Sequence, residues 1–185
     1  VLEFCLNTLF NSQTGAMQNS KDTIRERFEF GYSFSRLKRD DNSRIYMPKP
    51  LKTLRRQAID RISEQIRSPI GLVKSFNNCI VSYYREGFKL EPHIDINEQQ
   101  SRKFYFGENV VVVVLLADEM GRLYFQKSPD GKKPVYDPKQ AVTLDEQNGM
   151  AYLLNGENRY APIYHGVSPV ANRRISVTYR TVHFT

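Results

Sequence analysis

Two histidines and an aspartate in this chain have the types and the spacing to hold a redox metal. His93 and Asp95 flank Ile94, and His165 follows far downstream with Arg174 close behind it. Two imidazoles and one carboxylate on one face of an ion leave its opposite face open to a co-substrate and dioxygen, the donor set of mononuclear iron oxidation. Residues two apart on an extended strand point the same way, so a strand would direct His93 and Asp95 to one ion while Ile94 turns into the packing. The third ligand must then come from a different strand. An H-x-D pair alone is most often a hydrogen-bonded surface pair, but the chain has only three histidines, His93, His165 and His183, and two of them fall in this constellation.

Residues 174–180, Arg-Ile-Ser-Val-Thr-Tyr-Arg, carry the second chemical signal. As a strand they place Arg174, Ser176, Thr178 and Arg180 on one face and Ile175, Val177 and Tyr179 on the other. With the apolar face packed on helices and the cationic face turned inward, this strand forms a slot for a dianion beside the metal. Arginine suits that slot because its planar fork grips a carboxylate bidentately. The same pattern on an edge strand would leave its arginines in water; His165 nearby favours the slot.

The frame that must position these groups is mainly β. Residues 78–84, 110–116, 123–126, 151–154 and 174–182 are short β-branched or aromatic runs, separated by turn residues at Glu119-Met120-Gly121, Pro129-Asp130-Gly131 and Asn155-Gly156. Five consecutive valines, 110–114, predict a strand buried on both faces. Upstream, Leu51, Leu54, Ala58, Ile62 and Ile66 recur at three and four, which predicts an amphipathic helix with Pro50 at its first turn, ending before Pro69 and buttressing a sheet. Its Arg55, Arg56, Arg61 and Arg67 read as solvated. Phe28, Phe30, Tyr32 and Phe34 alternate along an expected strand at 25–35, residues 11–22 read as a loop, and the basic, proline-punctuated stretch 36–50 reads as a flap beside a substrate slot. Many short strands after a helical segment predict an α+β, mainly β double-sheet fold with helices packed outside.

At 185 residues the chain is long enough for one full core, and we expect a single domain. Twenty-seven Lys and Arg against 20 Asp and Glu give a formal net charge of +7, which favours anionic partners. The local concentration Arg36, Lys38, Arg39, Arg44, Lys49, Lys52, Arg55 and Arg56 is the sharper hint of nucleic acid, although such runs are commonly solvated faces. Cys5 and Cys79 form neither a zinc-like cluster nor a disulfide framework, which points to a reducing cytoplasm, or the nucleus in a eukaryote. There is no convincing signal peptide and no stretch of membrane-spanning length without charges, so no membrane partner is expected. The start at Val1 leaves open a domain of a longer protein such as a polyprotein, and the pattern is compatible with a monomer.

Taken together and in order, Tyr84-Arg-Glu-Gly-Phe-Lys-Leu-Glu-Pro-His93-Ile-Asp95, Gly156-Glu-Asn-Arg159, His165-Gly-Val and Arg173-Arg174-Ile-Ser-Val-Thr-Tyr-Arg180 resemble the AlkB family of Fe(II)/2-oxoglutarate dioxygenases over residues 76–182. The tyrosine and glycine before P-H-x-D are shared with prolyl hydroxylases, which usually place a lysine at the dianion position; the R-x-S-x-T-[YF]-R ending is characteristic of AlkB-like proteins. The resemblance implies a double-stranded β-helix, or jelly-roll, catalytic core at about 76–185, preceded by an N-terminal extension, substrate lid and buttressing helix. It implies Fe(II) on His93, Asp95 and His165, with 2-oxoglutarate and O2 as co-substrates. Arg174 would pair with the distal carboxylate of 2-oxoglutarate, Tyr84 would donate a hydrogen bond to the same co-substrate, and Ser82 stands where the family often has an amide contacting it. Arg180 would lie near the iron and support co-substrate or substrate.

Methylated RNA or single-stranded DNA is the substrate the resemblance implies, oxidised at an N-methyl group that leaves as formaldehyde, with succinate and CO2 as the other products. Asn97, with Glu98 beside it, occupies a position where an acidic residue commonly helps recognise the damaged base, and its amide can hydrogen bond an exocyclic amine or carbonyl. Arg159 matches a position associated with the substrate strand, and the lid from Tyr32 through Arg36 to Arg44 would grip nucleic acid and stack the extruded base. Two alternatives stand beside this reading. One is hydroxylation of a protein side chain or small metabolite on the same scaffold, and the other is a noncatalytic nucleic-acid-binding module.

Overall fold

The computed structural model describes residues 1–10, 26–37, 41–95 and 103–185. After a short N-terminal helical turn, α1 (Leu2–Phe4), which continues as a π-helical stretch Cys5–Phe10, the described elements run β1 (Glu26–Tyr32), α2 (Phe34–Leu37), β2 (Arg44–Ile45), α3 (Lys49–Ile66), β3 (Asn78–Arg85), β4 (Leu90–His93), β5 (Phe104–Leu116), β6 (Leu123–Lys127), β7 (Val142–Thr143), β8 (Ala151–Leu154), β9 (Ile163–Val167) and β10 (Arg173–Phe184). Six strands form one antiparallel sheet in the order β2-β1-β3-β10-β5-β8, and four form a second in the order β4-β9-β6-β7. The two sheets with few helices make the protein mainly β, with a double-stranded β-helix core.

The alternation along β10 decides which face is which. Ile175, Val177 and Tyr179 are fully buried against α3 together with Val81, Val111 and Val113. Tyr179 also donates its phenol proton to Leu51 O at 2.7 Å, which satisfies the one polar atom on that face. Val110 to Val114 are all buried because β5 is covered by α3 on one side and by the second sheet on the other. β10 pairs with β3 on one flank and β5 on the other, so the strand that carries both arginines is held on both edges.

Helix α3 begins at Lys49, with Pro48 before it and Pro50 in its first turn, where the missing N–H costs nothing. It stops at Arg67, which takes the left-handed conformation (φ 53°) before a proline that cannot continue the helix. Two readings of this helix are corrected. Ile66 is 49% exposed and Ile59 is buried instead, because the face turned to the sheet ends a turn earlier than the apolar spacing implied. Arg55 is not simply solvated, since it is half-buried and its Nη1 donates to Phe76 O at 2.6 Å.

The flap reading is also modified. Residues 44 and 45 form an edge strand on β1, with Tyr32 opposite Arg44 and Gly31 opposite Ile45, so this part of the stretch is hemmed into the larger sheet. The four-residue helix α2 packs Leu37 and Phe34 on Phe104, Phe106 and Val182, which places it against the start of β5 and the end of β10. Among the described residues no helix is long and apolar enough to cross a membrane.

Candidate metal centre and co-substrate slot

His93 and His165 meet because β4 and β9 are neighbours in the smaller sheet and the two residues are directly opposite in register. Their ring centroids are 4.4 Å apart. The Nδ1–H of His93 donates to Glu91 O at 3.1 Å, which fixes the tautomer and leaves Nε2 to ligate a metal. Nε2 of His165 lies 3.9 Å from Asp95 Oδ2, and one donor atom from each of the three residues falls within 4.8 Å of the others.

Asp95 arrives by a different route from the one its spacing implied. β4 ends at His93, and Asp95 lies beyond it in irregular backbone. It is held instead by Arg159, whose carbonyl accepts the Asp95 N–H at 3.0 Å and whose Nε donates to Asp95 Oδ2 at 2.8 Å. The guanidinium of Arg159 is fully buried, and its Nη1 also donates to the carbonyls of Gly107 and Glu108. The expected role of Arg159 at a substrate strand is therefore corrected. Its side chain reaches no surface, and it positions Asp95. Arg180 approaches the other oxygen, Oδ1, at 3.3 Å, so the carboxylate lies between two cations.

These charges set the protonation states. Burial disfavours the Asp95 carboxylate, but Arg180, His165 and Arg159 outweigh it and hold the carboxyl well below its ordinary range. Burial, then His165, pushes His93 down to about 3, and burial likewise lowers His165. Neutral imidazoles and an ionised carboxylate, converging and buried, are the forms that ligate a divalent cation. The donor set and its protonation fit a mononuclear 2-His-1-carboxylate iron site.

The cationic face of β10 enters the same cavity, which is lined by Tyr84, His93, His165, Arg174, Ser176 and Arg180 among others. Tyr84 lies opposite Arg174 on β3, buried, with the guanidinium 5.4 Å from its ring centroid. Ser82 lies opposite Ser176 on the same sheet face, also buried. Arg174 has a partner that sequence reasoning did not find. Its Nε and Nη2 donate to the two oxygens of Glu146, each at 2.7 Å, and its Nη1 donates to Ser176 Oγ at 2.9 Å. Glu146, also buried, accepts a third hydrogen bond from Tyr152 Oη at 2.8 Å. Burial opposes the charge on Arg174, but the Glu146 contact outweighs it and the guanidinium stays protonated. Of five N–H donors, three are engaged by Glu146 and Ser176.

No protein-family model matches the chain, and no curated protein matches it. Among solved structures, it is similar to OsALKBH1, with 19% identity over 90% of this chain and 84% of that one and a TM-score of 0.57. It is also similar to a prolyl-4-hydroxylase from Pseudomonas putida, with 14% identity, 89% and 76% coverage and a TM-score of 0.50. A third similar structure is a prolyl hydroxylase from Trichoplax adhaerens in complex with a hypoxia inducible factor peptide, with 18% identity, 98% and 76% coverage and a TM-score of 0.51. The chain shares their fold.

The remaining expected site residues divide. Tyr32 does not line the cavity, and its ring packs 5.0 Å from that of Phe184. Arg36 is held within its own loop by Ser43 Oγ at 2.6 Å and Asp41 at 3.8 Å, and does not line the cavity. Asn97 and Glu98 lie outside the described residues.

Gly166, next to His165, has no room for a side chain. A Cβ there would lie 2.6 Å from Tyr124 Oη and closer still to Leu90 O, on the strand that carries His93. We expect Gly166→Ala to push β4 from β9, lowering stability by about 1–3 kcal/mol and weakening Mn(II) binding, read from urea midpoints and titration calorimetry. An unchanged metal affinity would disprove the link between this close approach and the ligand pair.

Proposed function

We propose that this protein is an Fe(II)/2-oxoglutarate-dependent dioxygenase that removes methyl groups from bases of RNA or single-stranded DNA. The observation that carries the reading is the clustering of His93, His165 and Asp95, the two histidines lining from one sheet the cavity that Arg174 and Arg180 enter from the other. When bound, iron and 2-oxoglutarate supply the oxidation of a C–H bond by O2, with decarboxylation of the keto acid to succinate.

The chain's own residues then have separate tasks. His93, Asp95 and His165 hold the metal on one face. Arg174, with its two remaining donors, and Tyr84 bind the distal carboxylate. Arg180 keeps the Asp95 carboxylate ionised and oriented. The partly exposed rings of Tyr32 and Phe184, 5.0 Å apart beside α2, offer ring faces on which an extruded base stacks. The AlkB-like ending of β10 and the basic stretch beside those rings favour nucleic acid over a protein side chain.

Incubation with Fe(II), ascorbate, 2-oxoglutarate and methylated single-stranded RNA or DNA is expected to release formaldehyde in step with succinate, and His93→Ala to release neither. Succinate formed without demethylation of either polymer would sink the substrate and spare the oxygenase. In that case a protein side chain or small metabolite becomes the target.

A further inference from the structure

On the outer side of the larger sheet a cavity of about 580 Å³ opens between β2, the start of α3 and the entry to β3. Arg44, Lys52, Arg55 and Lys74 line it, with no acidic residue among its lining, and among the described residues none of the four is paired with a carboxylate. Arg44 lies over the Tyr32 ring at 4.4 Å, and Lys52 over the Tyr46 ring at 4.0 Å. Tyr46 itself is 72% exposed. The Nε of Arg55 is buried without an acceptor, although its Nη1 is satisfied by Phe76 O. Four cations converging without counter-charge repel one another, and a buried guanidinium N–H left unpaired is costly. An anion in the groove relieves both.

Contacts link the groove to the end of β10, the strand that carries Arg180. Asn77, in its wall, accepts the Val182 N–H at 2.8 Å and donates to Val182 O at 3.2 Å, two residues beyond Arg180. Tyr32 bridges the two regions, with Arg44 on its ring and Phe184 at its edge. The volume exceeds what a single inorganic anion fills, and exposed rings interleaved with cations suit bases and phosphates together.

We propose that this groove is a phosphodiester-binding track for single-stranded nucleic acid, holding the backbone that flanks a base presented at the metal centre. The inference builds on the nucleic-acid reading above, but it rests on different residues and can fail separately. Lys52 and Lys74 carry the test because both are exposed and neither belongs to the metal or co-substrate machinery.

With the full chain loaded with Mn(II), binding of a fluorescein-labelled single-stranded oligonucleotide is measured by anisotropy over a range of salt. The Lys52→Gln/Lys74→Gln protein is expected to bind about tenfold more weakly, with a log–log salt slope shallower by about 1.4, from two phosphate contacts at about 0.7 each. Its Mn(II) affinity is expected to be unchanged. An unchanged slope overturns the track, as does preference for an acidic peptide over an oligonucleotide of equal charge. If polymer demethylation fails while the slope still falls, the demethylase reading goes and the groove stands. If demethylation proceeds and the slope does not move, the reverse holds.

Discussion

Replacing Arg159 by methionine is expected to destabilise the fold by about 3–5 kcal/mol and to weaken divalent metal binding by about 10–100-fold. The stability loss follows from burial. The guanidinium has no exposed surface, and its removal leaves the carbonyls of Gly107 and Glu108 without this donor and the buried Asp95 carboxylate with Arg180 as its remaining guanidinium. The metal effect follows from where Asp95 sits. It is past the end of β4, so its orientation depends on the Arg159 contacts rather than on strand geometry. Arg159→Lys keeps the charge but not the fork, and should recover only part of either loss. Urea unfolding and Mn(II) titration read the two effects separately; wild-type metal affinity in a folded Arg159→Met protein would refute the positioning role.

Glu146→Gln is expected to act in the opposite direction on the co-substrate. In the native pair, Glu146 occupies the Nε–Nη2 edge of Arg174 and neutralises it. A second carboxylate on the same guanidinium meets repulsion on the order of 2–3 kcal/mol at an effective dielectric of about 20. Removing the charge but keeping the shape should tighten 2-oxoglutarate binding to the Mn(II)-loaded protein by at least about tenfold, since 1.4 kcal/mol is a factor of ten. It should also lower stability by about 1–3 kcal/mol, because the bond from Arg174 loses its charged acceptor. Calorimetry with 2-oxoglutarate and with the metal alone distinguishes the two. Equal or weaker co-substrate binding, with metal binding intact, would mean that Glu146 only positions Arg174. Arg174→Met is the poorer probe, because it strands Glu146 as a buried unpaired charge and penalises the fold whatever the ligand does.

Much of the frame could be read from local pattern. Strict alternation from Arg174 to Arg180 assigned the two faces of β10, and the valine run marked a strand covered on both sides, because side-chain period and burial are properties of a few adjacent residues. The pairing of His93 with His165 followed from chemistry, since the chain has few other imidazoles. What escaped reading depends on contacts distant in sequence. A buried arginine demands a carboxylate, but several acids lie between Asp118 and Glu157, and only folding selects Glu146. Arg159 reads as a turn residue because its partner, Asp95, is 64 positions away. The helix phase slipped for a different reason. Ile66 fits the apolar spacing of α3, but the sheet beneath it has ended.

The distribution of the site over two layers has a mechanical corollary. The proposed metal ligands His93 and His165 belong to the four-stranded sheet, with Asp95 just past its edge strand, and Arg174, Arg180 and Tyr84 belong to the six-stranded sheet. Asp95, just past β4 of the smaller sheet, reaches the larger one, with Oδ1 toward Arg180 on β10 and Oδ2 toward Arg159, whose Nη1 donates to the carbonyls of Gly107 and Glu108 on β5. That one carboxylate acts as a pin between two plates, one bearing the proposed metal ligands and the other the proposed co-substrate anchor. Substitutions that let the plates slide would leave each half able to bind its own ligand, while the distance between metal and keto acid is no longer held. Such proteins would turn over poorly with normal occupancy of both sites, a failure that binding assays on either ligand alone would miss.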